Sequence, residues 1–168
     1  LAGGLKTDAV VRAMPNTPAQ IGEGMTVWTA TAAVSDAARE GVKAIFASLG
    51  KEAFVPEERY LDMATALSGS GPAYVFLFIE ALIDAGVHIG LSRELSTTMA
   101  LQTVIGSAKY AEQTGRHPAE LRNQVTSPGG TTVEALKALE AGSFRDDVLE
   151  AVIAAFEKSK ALGEGEKK

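Results

Sequence analysis

The stretch Val125-Thr126-Ser127-Pro128-Gly129-Gly130-Thr131-Thr132 holds the densest set of groups able to bind a small anion. It stands directly before an apolar-periodic run, Val133, Ala135, Leu136, Ala138 and Leu139, so a Pro-Gly-Gly turn feeds a helix N-terminus. Backbone N–H groups at such an end have no intrahelical acceptor and point the same way, and the helix dipole adds partial positive charge. Two glycines let a ligand approach the backbone closely, and the hydroxyls of Ser127, Thr131 and Thr132 stand beside the amides. The pattern suits a small carboxylate or phosphate. The competing reading is a helix cap, in which Ser127 and the threonines only accept from the first amides. A cap needs one hydroxyl and no double glycine, which favours binding.

Other constellations carry less chemistry. Glu80, Asp84 and His88 fall at i, i+4 and i+8 on an otherwise apolar stretch, Ala73–Ile89. They could share a metal, but a solvated strip or an intrahelical pair fits better, and no metal is expected. Gly69-Ser70-Gly71 begins like a dinucleotide fingerprint, yet Tyr74 occupies the third glycine position and a helix precedes it. Gly22-Glu23-Gly24 meets Val27 at the same place. No complete fingerprint, Walker sequence or nucleophile elbow occurs. Ser70 has no histidine placed by sequence to activate it, so helix entry is its simpler role.

Composition narrows the classes. The chain has 168 residues, 46% hydrophobic, with a formal net charge of -5. That is one domain, or a domain with a piece of another, able to bury a core. The negative balance argues against nucleic acid. The absence of cysteine excludes disulfides and thiolate chemistry, and two histidines far apart make a histidine metal site improbable. No apolar run is read as long enough to span a bilayer and no signal peptide is read at the start, so no membrane partner and a cytoplasmic location are expected.

The elements that must position these residues read in two parts. Up to about Pro56 the chain mixes strands with a helix: Ala9–Met14, a Pro15-Asn16-Thr17-Pro18 loop, Met25–Thr29, a helix capped by Ser35 through Leu49, and Lys51–Val55. Strand–helix–strand at this spacing is the edge of an α/β sheet. From Glu57 the chain is almost all helical. A helix to Leu67 is expected to stop at Ser68-Gly69-Ser70-Gly71, with Pro72 opening the next. That next helix is apolar on most of its circumference and must be buried on several sides, which points to a second subunit. Ser92 caps a helix to Gln113, closed by Gly115; Pro118 opens a short one to Gln124; the helix after the Pro-Gly-Gly turn ends at Gly142; and Ser143 with Asp146 resembles a capping box for the last helix, to Leu162. Gly163–Lys168 reads as a charged, frayed end.

Arg12-Ala13-Met14-Pro15-Asn16-Thr17-Pro18, Leu67-Ser68-Gly69-Ser70-Gly71-Pro72-Ala73-Tyr74 and Thr126–Thr132 together resemble pyrroline-5-carboxylate reductase, in that family's order and approximate spacing. The resemblance implies a fold that is mainly α with a partial α/β piece: the end of a Rossmann-type domain followed by an all-helical dimerisation domain. It implies residues 1–56 as the remnant of the NAD(P)-binding domain, 57–163 as the substrate-binding and dimerisation domain, and 164–168 as a tail. The phosphate-binding half of the Rossmann domain is missing from this sequence, which looks like the C-terminal part of the enzyme.

The implied reaction is reduction of 1-pyrroline-5-carboxylate to L-proline by NADPH or NADH. On the family pattern, Gly130 and Thr131 amides with the Ser127 hydroxyl hold the substrate carboxylate, the Thr132 hydroxyl meets the ring nitrogen as the catalytic contact, and Glu58 lies near the substrate. Met14, Pro15, Asn16 and Gln124 are placed on the cofactor side. Glu58 reads equally well as a helix-start carboxylate and Gln124 as a helix-terminal polar residue. The family also implies a homodimer, extended in some members to a ring of dimers. Two other readings stay open: a helical dimerisation module with a carboxylate-binding turn and no turnover, and a related imine or hydroxy-acid reductase. The latter calls for a catalytic lysine or histidine on the central helix, and Lys109 has no evident partner there.

Overall fold

The computed structural model describes residues 7–165. In chain order they form β1 (Val11–Met14), a 3-10 turn (Thr17–Ile21), β2 (Gly24–Ala30), α1 (Asp36–Ala47), β3 (Gly50–Phe54), α2 (Arg59–Ala64), a π turn (Thr65–Gly69), α3 (Gly71–His88), α4 (Arg93–Thr114), α5 (Pro118–Gln124), α6 (Thr131–Ala141) and α7 (Phe144–Gly165). The fold is mainly helical with one small sheet, as the sequence implied. Two compact units divide it. One comprises the described residues up to Tyr74 together with those from Glu150; the other is Val75–Leu149.

In the first unit the sheet order is β1-β2-β3. β1 runs antiparallel to β2, with Arg12 opposite Thr29 and Met14 opposite Val27. β2 and β3 are parallel, joined through α1, from Gly24 opposite Gly50 to Trp28 opposite Phe54. Ser35 caps α1 by accepting from the Ala38 amide at 3.3 Å. Alternation along β2 sends Val27 to one face and Trp28 to the other. Val27 packs with Leu61 and Ala64 of α2, flanked by Met14, Met25 and Val55. Trp28 meets Phe54 edge-on at 4.9 Å and Phe46 at 5.9 Å, and its indole N–H donates to Glu52 at 2.6 Å. α7 joins this unit where the Ser159 hydroxyl donates to Asp62 at 2.7 Å.

Two boundaries differ from the sequence reading. Ser68-Gly69-Ser70-Gly71 does not end a helix. The chain widens into the π turn and continues, so one helical path runs Arg59–His88 over 30 residues. That path is long and apolar enough, by length and composition alone, to cross a membrane, which corrects the expectation that no such run exists. The expectation failed because it counted two helices where the backbone makes one. The Ser143 capping box also does not form. Ser143 takes a left-handed backbone (φ 60), whereas an N-cap side chain reaches its amide from an extended one.

In the second unit α3 leaves its apolar surface open in the single chain: Phe76 is 61% and Leu77 67% exposed. Phe78 packs on Phe144 with ring centres 6.1 Å apart. Of the polar stripe, Asp84 pairs with Arg93 of α4 at 3.0 Å rather than within its own helix. Ser92 caps α4 by accepting from Leu95, and the Gly115 amide closes it on Ala111. The expected tail at residues 164–168 differs at its start, since α7 continues to Gly165; residues 166–168 lie outside the described residues.

Gly50 is the most constrained position of the sheet. Its φ is +136, and a Cβ there would land on the backbone N and O of Gly24 in the neighbouring strand. Gly50→Ala is expected to lower unfolding free energy by at least ~2 kcal/mol, read from urea or thermal melts, because neither backbone can yield without breaking the β2–β3 ladder.

Candidate functional site

The turn before α6 is built from its backbone. Gly129 adopts a left-handed conformation (φ 71), turning the chain so that the Gly130 amide donates back to the Ser127 carbonyl at 3.0 Å. Gly130 is the N-cap of α6 and receives no side-chain cap. The capping reading of Ser127, Thr131 and Thr132 is therefore not realised. Among the described residues their hydroxyls make no hydrogen bond, and the N–H groups of Thr131 and Thr132 meet no acceptor. Thr132 is half-buried, while Ser127 and Thr131 are exposed. The Gly130 amide is bonded within the turn, so the amides that meet no acceptor there are those of Thr131 and Thr132. Gly130 contributes space instead, since a Cβ there would lie 2.5 Å from the Ser127 hydroxyl oxygen.

Gln124 stands at the end of α5 in the same unit. With its amide oxygen turned toward Arg116, it accepts from that guanidinium at 3.2 Å. Arg116 also donates to Glu120 at 3.2 Å. Gln124 thus has the partner of a helix-terminal polar residue.

The sheet unit brings the first two motifs together. Met14 ends β1, half-buried against the core cluster. Pro15 leads into Asn16, whose carboxamide oxygen accepts from the Met25 amide at 2.9 Å and whose nitrogen donates to the Ser68 carbonyl at 3.0 Å. Glu58 stands at the other end of α2, ion-paired with Arg12. Ser68 lies ten positions after Glu58 along this helical path, roughly 15 Å along the axis. Arg12, Thr29, Thr31 and Glu58 help wall a depression of about 200 Å³ on this face. Next to Glu58, the Glu57 carboxylate and the Tyr60 phenol raise the Arg59 pKa, without consequence near neutrality, where a guanidinium is charged anyway.

Sequence reading missed Arg12, Arg116 and the π turn. Thr65 and Ser68 carried the available signal for the last: each lies four residues after a carbonyl it bonds, Leu61 and Ala64 respectively, a back-bonding habit of hydroxyls in distorted helices.

The family described as pyrroline-5-carboxylate reductase dimerisation matches residues 58–162. Pyrroline-5-carboxylate reductase of Synechocystis sp. is 48% identical over 160 residues, covering 95% of this chain and 60% of the relative. The reductase of Escherichia coli is 46% identical over 153 residues, covering 91% and 56%. Among solved structures, Plasmodium falciparum pyrroline carboxylate reductase with NADP bound superposes with a TM-score of 0.89 at 45% identity, covering 94% of this chain and 63% of that one. The Coxiella burnetii pyrroline-5-carboxylate reductase gives 0.90 at 39%, covering 96% and 60%. The chain spans about 60% of the length of these relatives.

The contact between Gly130 and Ser127 generates a stability cycle. Ser127→Ala should change stability by less than ~0.5 kcal/mol, because its hydroxyl is unbonded, and Gly130→Ala should cost about 1 kcal/mol by crowding that hydroxyl. The double variant is expected to recover most of the loss in denaturant melts. Simple additivity would mean that the turn yields elsewhere.

Proposed function

The chain belongs to the pyrroline-5-carboxylate reductase family, and from that premise we propose that it is the substrate-binding and dimer-forming part of an enzyme reducing 1-pyrroline-5-carboxylate to L-proline with NADPH or NADH. The observation that carries this reading is the turn before α6, where the open Thr131 and Thr132 amides and three unbonded hydroxyls stand within six consecutive residues. Residues 1–56 are assigned to the end of the NAD(P)-binding domain, 57–163 to the helical substrate and dimerisation domain, and 164–168 to a tail; the family match over 58–162 supports the middle boundary.

The Thr131 and Thr132 amides and the Ser127 hydroxyl hold the substrate carboxylate, with Gly130 keeping the approach clear. The Thr132 hydroxyl meets the ring nitrogen. Two contacts on a small rigid ring leave one face for reduction, so catalysis is mainly orientation. A nicotinamide cofactor, when bound, would supply the hydride that the imine carbon accepts. The nitrogen carries the proton that makes the iminium the better acceptor, and it keeps that proton as the amine of proline. Glu58 is assigned near the substrate on the family pattern, with its charge offset by Arg12.

The fit to the cofactor is partial and of one kind. The Met14 side chain packs against the core and both ends of the Asn16 carboxamide are bonded, which leaves the backbone around Pro15 as the approach for a flat nicotinamide. The end of β1 suits that ring, and phosphate groups call for residues outside this set. Gln124 is assigned to the same side on the family pattern.

The working assembly is a homodimer, in some arrangements a ring of dimers, in the cytoplasm. The open face of α3 supports it: a Leu or Phe side chain gains about 1.5–3 kcal/mol on full burial. A dimerisation module without turnover is the second reading, favoured by the match of the dimerisation family to residues 58–162.

The test is NAD(P)H oxidation by the full-length protein that carries this chain, with pyrroline-5-carboxylate. Thr132→Ala should lower kcat/KM on the order of 10²-fold while the melting curve stays close to that of the parent. Full turnover in Thr132→Ala would remove this hydroxyl from the mechanism. Leu77→Asp should shift the protein to monomer in sedimentation, and an unchanged dimer would place the interface elsewhere.

A further inference from the structure

A π turn widens the helix and takes carbonyls out of the i→i+4 ladder, so those carbonyls need other donors. In this chain side chains reach several carbonyls around the turn, although the Leu61 carbonyl also keeps the Thr65 amide. The Leu61 carbonyl accepts from Thr65 at 2.7 Å, Ala64 from Ser68 at 2.9 Å, and Ala66 from the Tyr74 phenol at 3.2 Å. The Ser70 amide closes the π turn on Thr65 at 2.8 Å. The last donor comes from far away in sequence: Asn16, 52 residues earlier, donates to Ser68 at 3.0 Å. Its carboxamide oxygen meanwhile holds the Met25 amide, and its own carbonyl accepts from Ala19 at 3.1 Å. Three segments thus meet on one side chain: the end of β1, the start of β2 and the π turn.

We propose that Asn16 is a positioning residue and not a cofactor ligand: with Ser68 and Tyr74 it clamps the π turn to the end of β1 and so fixes the backbone of Pro15 on the nicotinamide side of the site. The proposal rests on the reductase reading for its catalytic consequence, but the clamp is a property of the sheet unit alone. A hydrogen bond to Ser68 through a neutral carboxamide asks for a donor, and an aspartate at the same place would face a carbonyl with a carboxylate while keeping the bond to Met25.

The distinguishing experiment uses the full-length protein and Asn16→Asp. Expected is a drop in kcat of about tenfold with the cofactor Kd, from nicotinamide fluorescence, within twofold of the parent. A cofactor Kd that rises in step with the loss of kcat would make Asn16 a ligand and overturn the proposal, as would an unchanged kcat. Amide hydrogen exchange read by mass spectrometry supplies a second arm. In both Asn16→Asp and Tyr74→Phe the segment holding the Ser70 amide should exchange at least fivefold faster, while α4 keeps its protection. Unaltered exchange at Ser70 would mean that these side chains do not hold the turn. If the parent shows no imine reduction, the reductase reading falls and the exchange arm alone decides the clamp.

Discussion

Apolar surface that a single chain leaves open is the constraint on which the helical part depends. Val75, Phe76, Leu77 and Phe78 are consecutive, so they point around α3 rather than along one stripe, and no single neighbouring helix can cover all four. Within the unit Phe78 finds Phe144, while Phe76 and Leu77 find solvent. Each exposed ring or isobutyl group forgoes an energy comparable to a sizeable part of a domain's net stability. A second copy of the same face answers the problem economically, because a two-fold axis brings the same apolar residues to both sides. The same length and composition would also fit a lipid bilayer, but Glu80 and Asp84 lie inside the run, and Asp84 is engaged by Arg93, which suits a protein neighbour better than hydrocarbon.

Local chemistry was legible in the sequence wherever one residue decides one backbone state. Ser35 and Ser92 start their helices with the amide three residues on, and Gly115 ends α4, because a cap depends on little beyond its own turn. The parallel pairing of β2 and β3 followed from the intervening helix. The π turn was not legible, since its support includes a side chain 52 residues away and hydroxyls that elsewhere would mark a helix end. Reading Ser68-Gly69-Ser70-Gly71 as a break was sound local reasoning overridden by a tertiary bond. Ser143 failed for the opposite reason: its pairing with Asp146 fits a pattern, but the backbone enters the helix from a left-handed residue.

At the candidate turn, the grouping of residues was readable and the pattern of open amides was not. Ser127, Gly130, Thr131 and Thr132 do share one turn, as their spacing required. Which amide is free depends on whether the Pro-Gly-Gly segment closes on itself. It does, and the closure moves the open pair one residue along, to Thr131 and Thr132. The closure also fixes the turn in the chain itself, which would lower the ordering cost of the proposed binding.

The two motif clusters solve their tasks with backbone in preference to titrating side chains. The turn before α6 offers amides and hydroxyls, and the end of β1 offers the chain around Pro15 with its neighbours already bonded. Under the proposed function, reduction of an imine that arrives protonated would need geometry more than proton transfer, because the charge to be neutralised disappears when hydride is added. A site of fixed dipoles holds such a substrate without changing its own protonation state, and its precision then depends on what supports the backbone. That is the role the Asn16 carboxamide can fill and a free cofactor ligand cannot: a side chain bonded at both ends holds two segments at a set spacing, and the loop between them inherits that order.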